Sequence, residues 1–147
     1  MTPHTSLNHC NDRIYCIEAF KKQVQKLRKN NSYNGIDQLL IQFLRDKNID
    51  HFRTGTLLNK SLTHPYIKHD IAGRSGFRLY YLAVIINECL YLAYIHPKTG
   101  SEGASNTTDE ARGAFYKQVA DAIKRGKLYQ VRFGARHIEF TPVNSFS

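Results

Sequence analysis

The chain has 147 residues, 41% of them hydrophobic and 12% aromatic, and carries 21 Lys plus Arg against 12 Asp plus Glu, a net charge of +9. A chain of this length buries roughly two thirds of its unfolded surface, so a packed domain is expected and global disorder is excluded. The three cysteines, Cys10, Cys16 and Cys89, fit neither a disulfide framework nor a zinc ribbon. No apolar run reaches the roughly twenty residues of a membrane span, and the N-terminus lacks a signal-peptide core. A cytoplasmic protein without a membrane partner is expected.

Taken in chain order, residues 1–12 have no periodicity and read as a loose tail. Arg13 to Ile17 is β-branched and aromatic and predicts a strand. From Glu18 the pattern turns helical, with Phe20, Val24 and Leu27 on one stripe and Lys21, Lys22, Lys26, Arg28 and Lys29 elsewhere on the wheel. After the turn-forming stretch 30–35, Ile36, Leu39, Leu40, Phe43 and Leu44 repeat at helical spacing, so the two helices form a hairpin. Residues 46–64 read as a long connection. Tyr66 to Ile71, Phe77 to Ile86 and Leu90 to Ile95 read as strands, the last two joined at Asn87 and Glu88 and apolar enough to be covered on at least one face. Thr107 with Glu110 fits a capping box, opening a helix that carries Ala111, Phe115, Val119, Ala122 and Ile123 inward and ends at Gly126. Leu128 to Phe133 and Ile138 to Phe140 read as short strands in a C-terminal extension, 126–147. The fold class is α+β, in one domain over 1–147.

The positive charge is uneven: residues 1–30 hold six basic against two acidic groups and 107–147 seven against four, while 61–106 hold four against three. An excess of this kind suits a polyanionic partner, because neutralising phosphates releases counterions; it also serves plain solubility. Phosphate-binding, nucleotide-binding, serine-hydrolase and zinc-protease motifs are absent. The seven histidines are scattered without i, i+4 pairs, so no metal or other cofactor is expected. Carboxylates in the strand region are limited to Asp70, Glu88 and Glu102, too few for a two-metal nuclease. What the strands do concentrate is cations, histidines and tyrosines: Lys68, His69, Arg74, Arg78, Tyr80, Tyr81, Tyr94, His96 and Lys98. Metal-free RNA cleavage needs that set: a base for the 2′-hydroxyl, cations for the phosphorane and an acid for the 5′-oxygen. Tyrosines in strands also occur simply because they pack well.

The segment Gly73-Arg74-Ser75-Gly76-Phe77-Arg78-Leu79-Tyr80-Tyr81 resembles the G-[KR]-x-G-x-R-[VL]-x-Y core of RelE/HigB-type toxins of bacterial toxin-antitoxin systems. The run Leu90 to Lys98 resembles their strand-end pattern [IV]-Y-x-K, and the likeness extends over residues 13–125. It implies two N-terminal helices packed on a small twisted antiparallel sheet, followed by a C-terminal helix and, here, an extension. It also implies an mRNA interferase, a metal-independent endoribonuclease acting on ribosome-bound mRNA, with mRNA, ribosomal RNA and a cognate antitoxin as partners. Carried over by position, Arg78 and Lys98 would stabilise the scissile phosphate, His69 or Lys68 would be the base, and His96, which stands where relatives have Tyr, the acid, with Tyr94 as runner-up. Arg74, Tyr94, Lys22, Lys26 and Lys29 would contact RNA. The alternatives are a non-catalytic gyrase inhibitor of the ParE type and a basic nucleic-acid-binding or interaction module.

Overall fold

The computed structural model describes residues 8–73, 75–99 and 109–143, with backbone alone for 109–114. A short 3-10 turn, Asn11–Arg13, leads into β1 (Ile14–Cys16), α1 (Glu18–Arg28) and α2 (Ile36–Leu44). The connection that follows is partly structured, containing α3 (Ile49–Phe52) and β2 (Thr56–Leu57); Asn48 caps α3 by accepting from the His51 amide. Next come β3 (Tyr66–Ile71), β4 (Phe77–Val84), β5 (Cys89–Pro97), α4 (Asp109–Arg125), β6 (Tyr129–Phe133) and β7 (Ile138–Pro142). The seven strands of the described residues form one sheet in the order β2-β3-β4-β5-β1-β6-β7.

The expected small antiparallel sheet is corrected here. The sheet has seven strands rather than a few, and it is mixed: β1 runs parallel to β5, Ile14 facing Leu90, while the other neighbours are antiparallel. A parallel pair requires a crossover rather than a turn, and the long stretch between β1 and β5, which includes α1 and α2, supplies it. The segment read as an extension provides β6 and β7, whose Val131 and Ile138 are fully buried in the main core. Within the segment read as a tail, Cys10 is buried too, and its amide bonds the Lys47 carbonyl.

Both faces of the sheet are covered, as the near-continuous apolar strands require. On one face, Phe20, Val24 and Leu27 of α1, Leu40 and Leu44 of α2, and Phe52 of α3 pack against Leu79, Tyr81, Leu92 and Ile95. On the other, Val119 and Ala122 of α4 pack against Tyr66, Tyr80, Leu82 and Ala93. A register shift between Tyr80 and Tyr81 leaves Ala93 as the extra residue of a bulge, so Ala93 and Tyr94 both face α4. The end of α4 is set by Gly126 at φ 69°: its amide bonds the Ile123 carbonyl and the Lys127 amide bonds the Ala122 carbonyl, the paired pattern of a left-handed helix stop.

The C-terminal hairpin is tied to the helical layer by one buried carboxylate. Asp37 of α2 accepts from Arg28 Nε and Nη2 at 2.8 and 2.9 Å and from the Ile138 amide at 3.0 Å, while Arg28 Nη2 also donates to the Ile138 carbonyl. Three distant elements, α1, α2 and β7, meet at this point.

Candidate functional site

Alternation along the strands decides which candidate side chains can meet. Phe77 and Leu79 of β4 face the α1/α2 layer, so Arg78 and Tyr80 face α4. Across the sheet, Asp70 of β3 stands opposite Arg78, and Arg78 opposite His96 of β5. Two residues along each strand, on the same face, Lys68 stands opposite Tyr80, and Tyr80 opposite Tyr94. Two parallel rows of three result, Asp70-Arg78-His96 and Lys68-Tyr80-Tyr94, and Lys98 lies just beyond the end of β5.

Asp70 organises the first row. Arg78 donates to it through Nε at 2.8 Å and Nη2 at 3.4 Å, and Lys98 Nζ lies 3.4 Å from its second oxygen while donating to the Gly73 carbonyl at 3.1 Å. Hydrogen bonding from Arg78 holds the Asp70 carboxyl below the usual carboxylate range, against the opposing effect of desolvation. Two cations share one carboxylate, so the cluster keeps a net positive charge at a partly open surface, with the Arg78 side chain 31% exposed. The guanidinium is held by one edge, which leaves Nη1 for an incoming anion.

The turn from β3 to β4 fixes this register and explains the second glycine of the G-R-S-G segment. A Cβ on Gly76 would overlap the Ile71 carbonyl oxygen and crowd Ala72. Its own carbonyl accepts from the Lys98 amide at 3.0 Å, which ties the turn to the end of β5.

His96 is buried, 2% exposed. Its Nδ1 lies 2.8 Å from the Pro97 carbonyl, which can only accept, so Nδ1 carries the proton; in the neutral ring Nε2 then accepts from the Tyr80 hydroxyl at 3.3 Å. Burial is the main influence and pushes the His96 pKa down; the Pro97 carbonyl opposes this, and the Arg78 charge adds to the lowering. Both ring nitrogens are engaged in this geometry and the lowered pKa favours the neutral form, while the acid role expected of His96 requires the charged form. Above it, Tyr94 stacks on Phe115 of α4 with centroids 4.5 Å apart.

The structure separates the other candidates. His69 is adjacent to Lys68 in sequence and therefore points to the opposite face, where its ring packs on Phe43 at 4.7 Å and lies 3.2 Å from Thr54 Oγ1. It cannot serve as the base beside Arg78. Lys68 stays on the Arg78 face. Lys22 and Lys26 on α1 and Lys29 just past its end are exposed in the layer across the sheet from the two rows, with Lys22 3.9 Å from Glu18. Arg74 lies outside the described residues, as does Thr107 of the capping box. The residue that sequence reasoning missed is Asp70: its signal was the short glycine turn between two expected strands, which brings the end of the first beside the start of the second and pairs Asp70 with Arg78. Among the described residues no group of three or more His, Cys, Asp or Glu could hold a metal ion, and no helix is long and apolar enough to cross a membrane. No family model, curated protein or solved structure matches the chain.

Proposed function

We propose that this protein is a toxin-type endoribonuclease that cleaves ribosome-bound mRNA without a metal and is neutralised by a cognate antitoxin in the cytoplasm. The observation that carries the reading is the Asp70-Arg78-His96 row with Lys98 at its end: residues that are scattered in sequence share one sheet face and present cations around a polar edge. In the reaction, the 2′-oxygen attacks phosphorus, the bond to the 5′-oxygen breaks, and a cyclic phosphate is left. Arg78 and Lys98 stabilise the charge that builds on the phosphorane oxygens. His96, as a neutral ring paired with the Tyr80 hydroxyl, belongs on the proton-accepting side, and Lys68 and Tyr94 in the neighbouring row are the groups able to protonate the leaving oxygen.

A second reading is favoured by a specific observation: His96 and Tyr80 are 2% and 1% exposed, while Arg78 and Lys98 reach the surface. A phosphate-binding module without catalysis needs only the exposed pair. Incubating the protein with mRNA-programmed ribosomes, with and without EDTA, separates the two. Cleavage that resists EDTA, leaves cyclic phosphate ends and stops at a 2′-deoxy substitution supports the nuclease, and Arg78→Ala is then expected to slow it by about 10²–10³. Intact mRNA combined with RNA affinity that Arg78→Ala weakens supports the binding module.

A further inference from the structure

The two most exposed of the large apolar side chains among the described residues are Ile86, 85% exposed, and Leu62, 76% exposed. They are neighbours. The β3–β4 register continues beyond the strands, the Ala83 amide bonding the Pro65 carbonyl at 2.9 Å and the Ile85 amide the Thr63 carbonyl at 3.1 Å, so Leu62 comes level with Ile86. Ile86 sits in the β4–β5 turn, which is closed by the Glu88 amide on the Ile85 carbonyl at 3.2 Å, with Glu88 at φ 53°. Turns ordinarily carry Gly, Pro, Asn, Asp or Ser, and an isoleucine this exposed adds little to the core.

Leu62 is held out by a loop that satisfies its own polar groups. Asn59 accepts from the Tyr66 amide and donates to the His64 carbonyl, both at 3.0 Å, Ser61 Oγ accepts from the His64 amide at 2.9 Å, and the Thr63 hydroxyl lies 3.0 Å from His64 Nδ1. A polar group is penalised on leaving water when it loses its partner, so this loop can enter a less aqueous layer at little cost. Cations flank the pair. Lys60 is exposed two residues before Leu62, and Arg13 donates to the Glu88 carbonyl at 3.1 Å on the turn that carries Ile86.

We propose that this two-pronged tip docks on the surface of an anionic bilayer, Leu62 and Ile86 entering the headgroup boundary while the chain's charge of +9 holds it to the lipid phosphates. Peripheral binding of that kind scales with buried apolar area and with attraction to anionic lipid. A protein occupant fits less well, since two side chains fall far short of the roughly 800 Å² per partner of a standard interface. The inference uses none of Asp70, Arg78, His96 or Lys98 and is independent of the RNA reading. It departs from the expectation of no membrane partner, which rested on the lack of a spanning run and does not bear on surface contact.

The chain has no tryptophan, so Ile86→Trp places a single fluorophore at the tip. Mixed phosphatidylcholine–phosphatidylserine vesicles should shift its emission to the blue and should sediment the wild-type protein. Phosphatidylcholine alone should bind about tenfold more weakly, and raised salt should weaken binding to the mixed vesicles. Leu62→Ser combined with Ile86→Asn removes both prongs at exposed positions and should weaken partition about 10–100-fold, the loss expected for two partly buried aliphatic side chains. The proposal is overturned if the wild type does not bind the mixed vesicles, or if the Ile86→Trp emission stays water-like when the protein is vesicle-bound. It is equally overturned if the double variant melts normally and binds like the wild type, which would leave charge attraction without insertion. Self-association of the wild type in analytical ultracentrifugation that the double variant loses, with neither binding vesicles, would make the tip a contact between copies and would also overturn it.

Discussion

Replacing Asp37 by alanine tests how the C-terminal hairpin is held. The carboxylate is nearly buried, its side chain 6% exposed, and accepts two bonds from Arg28 and one from the Ile138 amide. Breaking a buried pair by removing one partner costs about 3–5 kcal/mol. The Arg28 side chain is 31% exposed, so water rehydrates part of its charge and the low end applies. Leaving the buried Ile138 amide without an acceptor adds about 1 kcal/mol. The expected loss is about 3–4 kcal/mol, a Tm drop of about 6–16 °C for a chain of this size. Calorimetry at neutral pH measures it, and hydrogen exchange at the Ile138 amide locates it. Asp37→Asn keeps an acceptor for that amide and should lose less, and pairing Asp37→Leu with Arg28→Met should recover most of the stability because no charge is left stranded. A Tm within about 2 °C of wild type for Asp37→Ala, worth less than 1 kcal/mol by the same scaling, would mean that the three-element junction contributes nothing and that pairing with β1 and core packing hold the hairpin.

The pKa values of His96 and His51 are both pushed down, chiefly by burial, so the folded chain binds fewer protons than the unfolded chain below about pH 6.5. Their contribution is complete above that pH and is lost as pH falls through the depressed folded values; melting between pH 8 and 5 should show the decline, and His51→Gln with His96→Gln should flatten it. Gly76→Ala should destabilise by about 2 kcal/mol or more, because the new Cβ would overlap the Ile71 carbonyl; urea unfolding reads this, and an unchanged midpoint would mean that the turn is not tight. Replacing Lys22, Lys26 and Lys29 together by alanine should lower the salt slope of single-stranded RNA binding by about 2, near 0.7 for each phosphate no longer neutralised. An unchanged slope would identify the stripe as a solvated face.

Strands and helices were legible because each rests on local periodicity. Tyr66–Ile71 emerges with the expected bounds, and α1 starts at Glu18 as the helical stripe requires. Pairing was not legible, since nothing near residues 14–16 signals that their partner is 90–92. The two-residue β2 and the four-residue α3 are too short for any period to show. The site was legible in residue types and partly in geometry: Arg78, His96 and Lys98 do lie together. His69 and Lys68 could have been separated on the sequence alone, because neighbours in a strand point to opposite faces. The burial of His96, which pushes its pKa down, was not, because it depends on tertiary packing around the ring and not on the residues near it in sequence.

The position of β1 has a consequence for synthesis. Among the described residues it is the first strand in the chain, yet it lies inside the sheet, between β5 and β6. Its partner Leu90 follows Ile14 by 76 positions, which at 5–20 residues per second is a delay of about 4–15 s. Through that interval β3 and β4, joined by a short turn, can pair locally, so Asp70 and Arg78 come into line before the N-terminal strand has anywhere to dock. The Asp70-Arg78 pair is thus assembled early, on a hairpin whose β4 side is still an open edge.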